Sequence, residues 1–197
     1  MRSVFVKVIA VLIAGFSLYV GYHNLPVYQS IKIDIETPAA QEFLKEFAGY
    51  SVPKEKTLLP NGTVLTNDNK AVTLETIING RWTLVNLWAT WCAPCVVELP
   101  SLLRFSQSRD DIQVLAISFD NNQTIEQLSQ FMAKNKVESL KWVYDDTLQI
   151  RRGIETRGLP TSLLVNPQGE IVLIMEGHVE WDSKASQKFF DQIFTKS

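Results

Sequence analysis

Residues 85–100 read VNLWATWCAPCVVELP, and this stretch decides the fold. The run over 82–88 that enters it is mostly apolar, as is typical of a strand covered on both faces. The strand leads directly to Cys92 and Cys95, and a helix is predicted from about Cys92 to Ser106. We therefore expect a buried strand that places two thiols in the first turn of a helix.

Cys92 and Cys95 are the only cysteines of the chain, and their spacing suits thiol exchange. If Cys92 opens the helix, its sulfur lies beside unpaired main-chain N–H groups at the positive end of the helix dipole. Because this environment lowers the thiol pKa, Cys92 is the expected nucleophile at neutral pH. Cys95, one turn further, is expected to break the mixed disulfide, and Trp91 to cover the exposed sulfur.

Three other uses of the two thiols stay open. Half of a zinc site would need further ligands, and the only histidines are His23 and His178. A structural disulfide closing so small a ring would restrict the unfolded chain little. The reduced pair is also a possible copper ligand. Redox exchange is the use that the pattern favours.

Strand-like and helix-like segments alternate in the rest of the chain. Two hairpins are predicted, one around Asn67–Lys70 and one around the tight-turn sequence Asn166–Gly169. The other predicted elements are a helical turn at 74–78, strands at 114–119 and 142–144, and helices at 124–134, 147–151 and 183–194. This order predicts an α/β fold, a central mixed sheet flanked by helices, with an added N-terminal hairpin.

Composition excludes several classes of protein. The 197 residues are 46% hydrophobic and 20% charged, which is ordinary for a globular chain and excludes intrinsic disorder. The net charge of −2, with no basic block, gives no support for nucleic-acid binding. Two cysteines are too few for a disulfide-rich secreted mini-protein. The length fits one domain with appendages.

The N-terminal segment resembles an export signal. Arg2 and Lys7 precede an apolar run over 8–22, and no small-residue cleavage site follows it. We therefore expect residues 1–22 to be an uncleaved signal-anchor that crosses the inner (plasma) membrane once. The positive residues would stay in the cytoplasm, which places the rest in the periplasm or an equivalent extracytoplasmic space. The alternative is a buried helix of the globular domain.

The remaining chain divides into two parts. Residues 23–57 are expected to form a spacer with one short helix, because Thr37 and Pro38 fit the N-cap and first position of a helix. Residues 58–197 are expected to form the folded domain.

The stretch over 85–100 resembles the active-site signature of the TlpA, ResA and DsbE (CcmG) family of exported, often membrane-anchored thioredoxin-like oxidoreductases. The resemblance extends over about 58–194. It includes the N-terminal hairpin, the sequence Gly158-Leu159-Pro160-Thr161 and the Asn-Pro-x-Gly turn. It implies a thioredoxin-like fold.

The resemblance also implies roles for particular residues. Pro160 is similar to the cis-proline that faces the disulfide in thioredoxins, and the Leu159 main chain would then pair with an extended substrate. Glu98 matches the family's acidic residue. It stands three residues after Cys95 on the same helix face, where a carboxylate would raise that thiol's pKa or take its proton. Asn86 departs from the buried aspartate of cytoplasmic thioredoxins, since an amide does not titrate.

The implied function is reduction of client disulfides, in cytochrome c maturation or copper-site assembly. Electrons would come from a membrane thiol-electron donor of the DsbD/CcdA type, and no diffusible cofactor is required because the two sulfurs carry the electrons. Two alternatives remain. One is a periplasmic disulfide oxidant or isomerase, and the other is a non-enzymatic copper chaperone that uses both thiolates.

Overall fold

Six consecutive buried residues form the strand that the apolar run predicts, β4 (Thr83–Trp88). The computed structural model describes residues 33–78 and 80–194. In this part of the chain β4 is one of eight strands in a single mixed sheet. The other strands are β1 (Gly49–Ser51), β2 (Thr63–Thr66), β3 (Ala71–Thr73), β5 (Gln113–Ser118), β6 (Trp142–Tyr144), β7 (Thr161–Val165) and β8 (Ile171–Glu176).

The strands lie in the order β1-β8-β7-β4-β5-β6-β2-β3. β4, β5 and β6 are parallel, whereas β7 runs antiparallel beside β4 and pairs Asn86 with Ser162. The carboxyl end of β4 therefore lies at the same sheet edge as the beginning of β7. The predicted thioredoxin-like α/β fold is confirmed, and both predicted hairpins form.

Six helices accompany the sheet within the described residues. They are α1 (Pro38–Leu44), α2 (Leu74–Ile78), α3 (Ala93–Gln107), α4 (Ile125–Lys134), α5 (Gln149–Gly153) and α6 (Lys184–Phe194). Each helix predicted within the described residues is present, with ends that differ by up to two residues from the expected ones. The helix α4 begins with a capping box, in which the Thr124 hydroxyl accepts from Gln127 N at 3.2 Å and the Gln127 side chain accepts from Thr124 N at 2.8 Å.

The sheet separates two apolar clusters of the core. One contains Leu84 and Trp88 of β4 with Leu99 and Leu102 of α3, so α3 covers one face of β4. The other cluster contains Val85, which alternates to the opposite face. Asn86 has the same parity as Leu84 and Trp88 and therefore points toward α3.

Part of the predicted spacer belongs to the folded unit. α1 begins as expected, since the Thr37 hydroxyl accepts from Ala40 N at 3.3 Å, but β1 then joins the sheet beside β8. The physical reason is apolar burial. Phe43 is fully buried, with its ring centroid 5.9 Å from that of Trp181 and 5.2 Å from that of Phe189.

The predicted signal-anchor over 1–22 and the first part of the spacer lie outside the described residues. Among residues 33–78 and 80–194, no helix has the length and apolar character needed to span a bilayer.

Candidate active site

The two cysteines form a disulfide at the N-terminus of α3. Their sulfurs are 1.99 Å apart and their Cα atoms 5.3 Å apart. Cys92 is the N-cap residue, in an extended conformation, and its sulfur accepts a hydrogen bond from Cys95 N at 3.3 Å. Cys92 retains 5% exposure, whereas Cys95 is fully buried. The predicted placement of Cys92 at the opening of a helix is therefore present, and the two sulfurs differ in access.

Two large apolar side chains near the start of α3 are exposed to solvent. Trp91 is 62% exposed and Val97, one turn into α3, is 61% exposed. Trp88, in contrast, is fully buried, and its ring stacks on Phe131 with centroids 5.8 Å apart. Trp88 is thus a packing residue, and Trp91 is the tryptophan open to solvent beside the disulfide.

Asp120 fixes the loop that joins β4 to the disulfide. Its carboxylate accepts from Thr90 N at 3.0 and 3.1 Å, from the Thr90 hydroxyl at 2.6 Å and from the Ser118 hydroxyl at 2.8 Å. Asp120 is 1% exposed. No local sequence pattern identifies the contact to Thr90, because it depends on β4 and β5 lying side by side in the sheet.

The Leu159–Pro160 bond is cis and precedes β7. Pro160 is buried, and its carbonyl accepts from Gly177 N at 3.0 Å. Because β7 begins where β4 ends, this loop and the disulfide lie at one edge of the sheet. The structure thus brings Leu159 and Pro160 to the same edge as Trp91 and Cys92.

Glu98 is a fully buried carboxyl one helical turn after Cys95. Burial raises its pKa from 4.5 to about 7, against opposing hydrogen bonds. Asn86 Nδ2 donates to Oε1 at 2.7 Å, and Val179 N donates to Oε2 at 3.3 Å. The Trp181 indole N–H also lowers the pKa of Glu98. Its geometry is not that of a hydrogen bond. A carboxyl with this pKa can accept or release a proton near neutral pH.

Asn86 connects Glu98 to the strand after the cis-proline. Its second amide hydrogen is donated to the Ser162 hydroxyl at 3.0 Å, and all three side chains are buried. The sequence identified Asn86 only as a departure from a titrating aspartate, and it did not point to Ser162 or Val179. Both lie far away in sequence: the pairing of β4 with β7 brings Ser162 to Asn86, and the path after β8 brings Val179 to Glu98.

Asp145 and His178 are two further polar residues that are at least partly buried. Asp145 is buried, which raises its pKa, and its Oδ2 accepts from Arg151 N at 2.8 Å at the start of α5. His178 is half-buried beside Gly177, and its Nε2 makes no hydrogen bond to the described residues. In the part of the chain that the structure describes, no three His, Cys, Asp or Glu side chains are grouped to hold a metal ion.

A cysteine pair at a helix N-terminus, on a thioredoxin-like sheet, is the arrangement of a thiol-disulfide oxidoreductase, and this is the class that the fold and the site define. The chain belongs to the Redoxin family, whose pattern matches residues 53–188. Within it, the chain is a TlpA/ResA/DsbE-like protein, as the signature over 85–100 indicates.

Known relatives agree with this class. The thiol-disulfide oxidoreductase ResA of Bacillus subtilis is 26% identical over 133 residues, which cover 66% of this chain and 72% of ResA. The thiol:disulfide interchange protein HelX of Rhodobacter capsulatus is 29% identical, over 53% of this chain and 57% of HelX. The chain thus spans little more than half of the length of HelX.

Solved structures show the same fold. A putative thiol:disulfide interchange protein DsbE from Chlorobium tepidum matches with a TM-score of 0.60 and 22% identity, over 73% of this chain and 99% of that one. StoA from Bacillus subtilis matches with a TM-score of 0.54, 22% identity, and coverage of 68% and 97%.

Proposed function

We propose that this oxidoreductase reduces disulfides in client proteins outside the cytoplasm, with Cys92 as nucleophile and Cys95 as resolving thiol. The observation that carries the proposal is the inequality of the two sulfurs. Cys92 lies at the helix N-terminus with an N–H donor, while Cys95 is fully buried near the buried carboxyl of Glu98. An accessible thiol that attacks the client disulfide and a buried thiol that resolves the mixed disulfide suit the two successive steps of exchange.

The reaction proceeds in two exchanges. The Cys92 thiolate attacks one sulfur of the client disulfide, so that a mixed disulfide forms and the other client sulfur leaves as a thiolate. Cys95 then gives up its proton and attacks Cys92, which restores the Cys92–Cys95 bond and releases the second client thiolate. Two electrons pass from the cysteine pair to the client, and the two client sulfurs take up protons from solvent or from neighbouring groups. The sulfurs carry the electrons, so no diffusible cofactor takes part.

Glu98 is the proposed proton acceptor for Cys95. Burial without a positive partner raises the pKa of a thiol, so Cys95 needs a base before it can attack. Glu98 stands one turn away on the same face of α3, and its pKa of about 7 suits proton transfer near neutral pH. The carboxyl thereby takes the place of the aspartate that Asn86 replaces.

The environment of the buried Cys95 thiol supports the proposed direction of electron flow. A strong oxidant has a stabilised reduced form. Here the Cys92 sulfur accepts one main-chain N–H, and Cys95 is buried next to a carboxyl that disfavours its thiolate. The N–H donor favours the reduced pair, whereas the disfavoured thiolate of Cys95 makes the dithiol easier to oxidise, and this second feature supports a reductant.

The residues that bind the client are proposed to be Trp91, Leu159 and Pro160. Trp91 is widely exposed, and the cis-proline loop begins at the edge where the disulfide lies. The family resemblance adds the expected clients, proteins of cytochrome c maturation or copper-site assembly, and a membrane electron donor of the DsbD/CcdA type. It also adds a single-pass anchor at 1–22, with the domain in the periplasm or its equivalent.

Trapping of mixed disulfides tests this function. The full chain with Cys95→Ser retains the nucleophile but is unable to resolve, so client proteins should remain bonded to Cys92 and be released by a reductant. The chain with both Cys92→Ser and Cys95→Ser is the matched control and should trap nothing. Failure of the folded, exported Cys95→Ser chain to hold any protein through Cys92 would contradict the proposal.

A further inference from the structure

We propose that Asn86 is a positioning residue for thiol exchange, which holds the Glu98 carboxyl in one orientation on the Cys95 face of α3, with Ser162 fixing the amide. This inference rests on the proposed function, because it gives Asn86 its purpose through the proton transfer assigned to Glu98.

The two hydrogens of the Asn86 amide are both used. Nδ2 donates to Glu98 Oε1 at 2.7 Å and to the Ser162 hydroxyl at 3.0 Å. An NH₂ group has two donors in a fixed plane, so two partners determine the rotation of the amide. The shorter of the two bonds is the one to the carboxyl, as expected for a charge-assisted bond.

The orientation of Glu98 is therefore determined from both sides. Asn86 holds Oε1, and Val179 N holds Oε2 at 3.3 Å. Ser162 pairs with Asn86 across β4 and β7 and stands two residues after Pro160. On the other side, Val179 follows Gly177, whose N–H donates to the Pro160 carbonyl. The carboxyl is thus held by two elements that both connect to the cis-proline loop.

Packing alone does not explain a buried amide at this position. Asn86 is 0% exposed, and its Oδ1 has no hydrogen-bond partner among the residues that the structure describes. Burying an unpaired amide oxygen costs free energy that an apolar side chain of similar size would not incur. What Asn86 supplies at this position is therefore its two donated hydrogen bonds. A hydrogen bond donated to Glu98 favours the carboxylate form, which is the form that accepts a proton.

The test is a titration of Glu98 in the oxidised full-length protein, where the two cysteines do not titrate. The probe is the carboxyl carbon signal of Glu98 in ¹³C-labelled protein, followed by NMR. Asn86→Leu keeps the approximate size of the side chain and removes both donors. We expect the pKa of Glu98 to rise by about one unit, a tenfold weaker acid, because a hydrogen bond to a charged group is lost. An unchanged pKa in the folded variant would overturn the proposal.

Ser162→Ala is the second variant, and it tests the role given to Ser162. It leaves the Asn86 amide in place but removes one of the two partners that fix it, so the pKa of Glu98 should rise by less than in Asn86→Leu. If Asn86→Leu does not fold, this variant decides the question, and an unchanged pKa would then overturn the proposal.

Thr83→Val is the matched control. It removes a buried hydroxyl from the same strand, where Thr83 accepts a bond from Gln113 Nε2 at 3.3 Å, away from Glu98. The pKa of Glu98 should not change in this variant. Since the titration needs no client, it can fail while Cys95→Ser still traps clients, and the reverse outcome is equally visible.

Discussion

The main-chain N–H of Cys95 donates a hydrogen bond to the sulfur of Cys92 over 3.3 Å. The bond exists because Cys92 is the N-cap residue of α3, where the first N–H groups have no carbonyl partner within the helix. After reduction the same donor and the helix dipole stabilise a thiolate on Cys92. Cys95 gains no such donor from this bond and lies fully buried.

We predict that the two thiols differ in reactivity. In the reduced protein at about pH 6, iodoacetamide should modify Cys92 several times faster than an unstructured peptide thiol, because an unperturbed thiol has a pKa of about 8.5. Cys95 should react only after denaturation. Peptide mapping by mass spectrometry measures both rates. Equal modification of both cysteines in the folded protein would contradict this assignment.

Glu98→Gln should slow the resolving step. Reaction of the reduced protein with an aromatic disulfide releases one thiolate when Cys92 attacks and a second when Cys95 resolves, and stopped-flow absorbance separates them. In the unaltered protein the second rate should rise through pH 7, where Glu98 ionises. In Glu98→Gln the rate of this second step should be about 100-fold lower than in the unaltered protein, because a general base is lost.

The control for this experiment is Glu155→Gln, which removes an exposed carboxylate from the loop before the cis-proline. Its second rate should match that of the unaltered protein. If Glu98→Gln also resolves at the normal rate with the normal pH profile, Glu98 is not the proton acceptor.

Glu98 should also make the folding stability of the oxidised protein depend on pH. Because its pKa is raised from 4.5 to about 7 in the folded state, the folded protein keeps a proton that the unfolded chain releases in this range. Stability therefore falls as the pH rises from 4.5 to 7, by up to about 3 kcal/mol, and then levels off. Urea unfolding at a series of pH values measures this. In Glu98→Gln the free energy of unfolding should no longer decrease over this pH range. The same pH dependence in both proteins would contradict the assigned pKa.

Asp120→Ala should destabilise the protein by removing hydrogen bonds in which neither cysteine sulfur takes part. It removes the acceptor of the Thr90 N–H, the Thr90 hydroxyl and the Ser118 hydroxyl, all at the carboxyl edge of the sheet. Loss of buried bonds to a carboxylate predicts about 2–4 kcal/mol in the free energy of unfolding, measured with urea. Asp146→Asn, at an exposed position after β6, should change it by less than about 0.5 kcal/mol.

Phe43→Ala tests whether the helix α1 is an integral part of the domain. Phe43 is fully buried against Trp181 and Phe189, so truncation should cost about 3–5 kcal/mol. Val52→Ala, at a residue 45% exposed, should cost far less. Equal, small effects on urea unfolding would show that the segment before β2 does not contribute to the core.

The sequence predicted the elements of the fold well because their signals are local. The apolar run at β4, the turn chemistry at Asn166 and the N-cap at Thr37 each act within a few residues, and these three predicted elements form. The β1 strand was not predicted, since its pairing with β8 joins segments more than 120 residues apart in register, such as Gly49 with Glu176.

The site was predicted in part for the same reason. The spacing of Cys92 and Cys95 and the position of Glu98 can be read within one helix. The partners of Glu98 cannot, because Asn86 and Val179 reach it only after β4 and the segment after β8 are packed on α3. Asp120 was not predicted as a site residue, because its contact to Thr90 forms only when β4 and β5 pair.

The reduction potential of the Cys92–Cys95 pair tests the central claim most directly. It is measured by equilibrating the full-length protein with dithiol buffers of known potential and quantifying the oxidised fraction by alkylation. For a reductant we predict a value more negative than about −200 mV, on the side of thioredoxin at about −270 mV. A value near that of a strong oxidant, about −120 mV, would contradict the account and reverse the direction of electron flow.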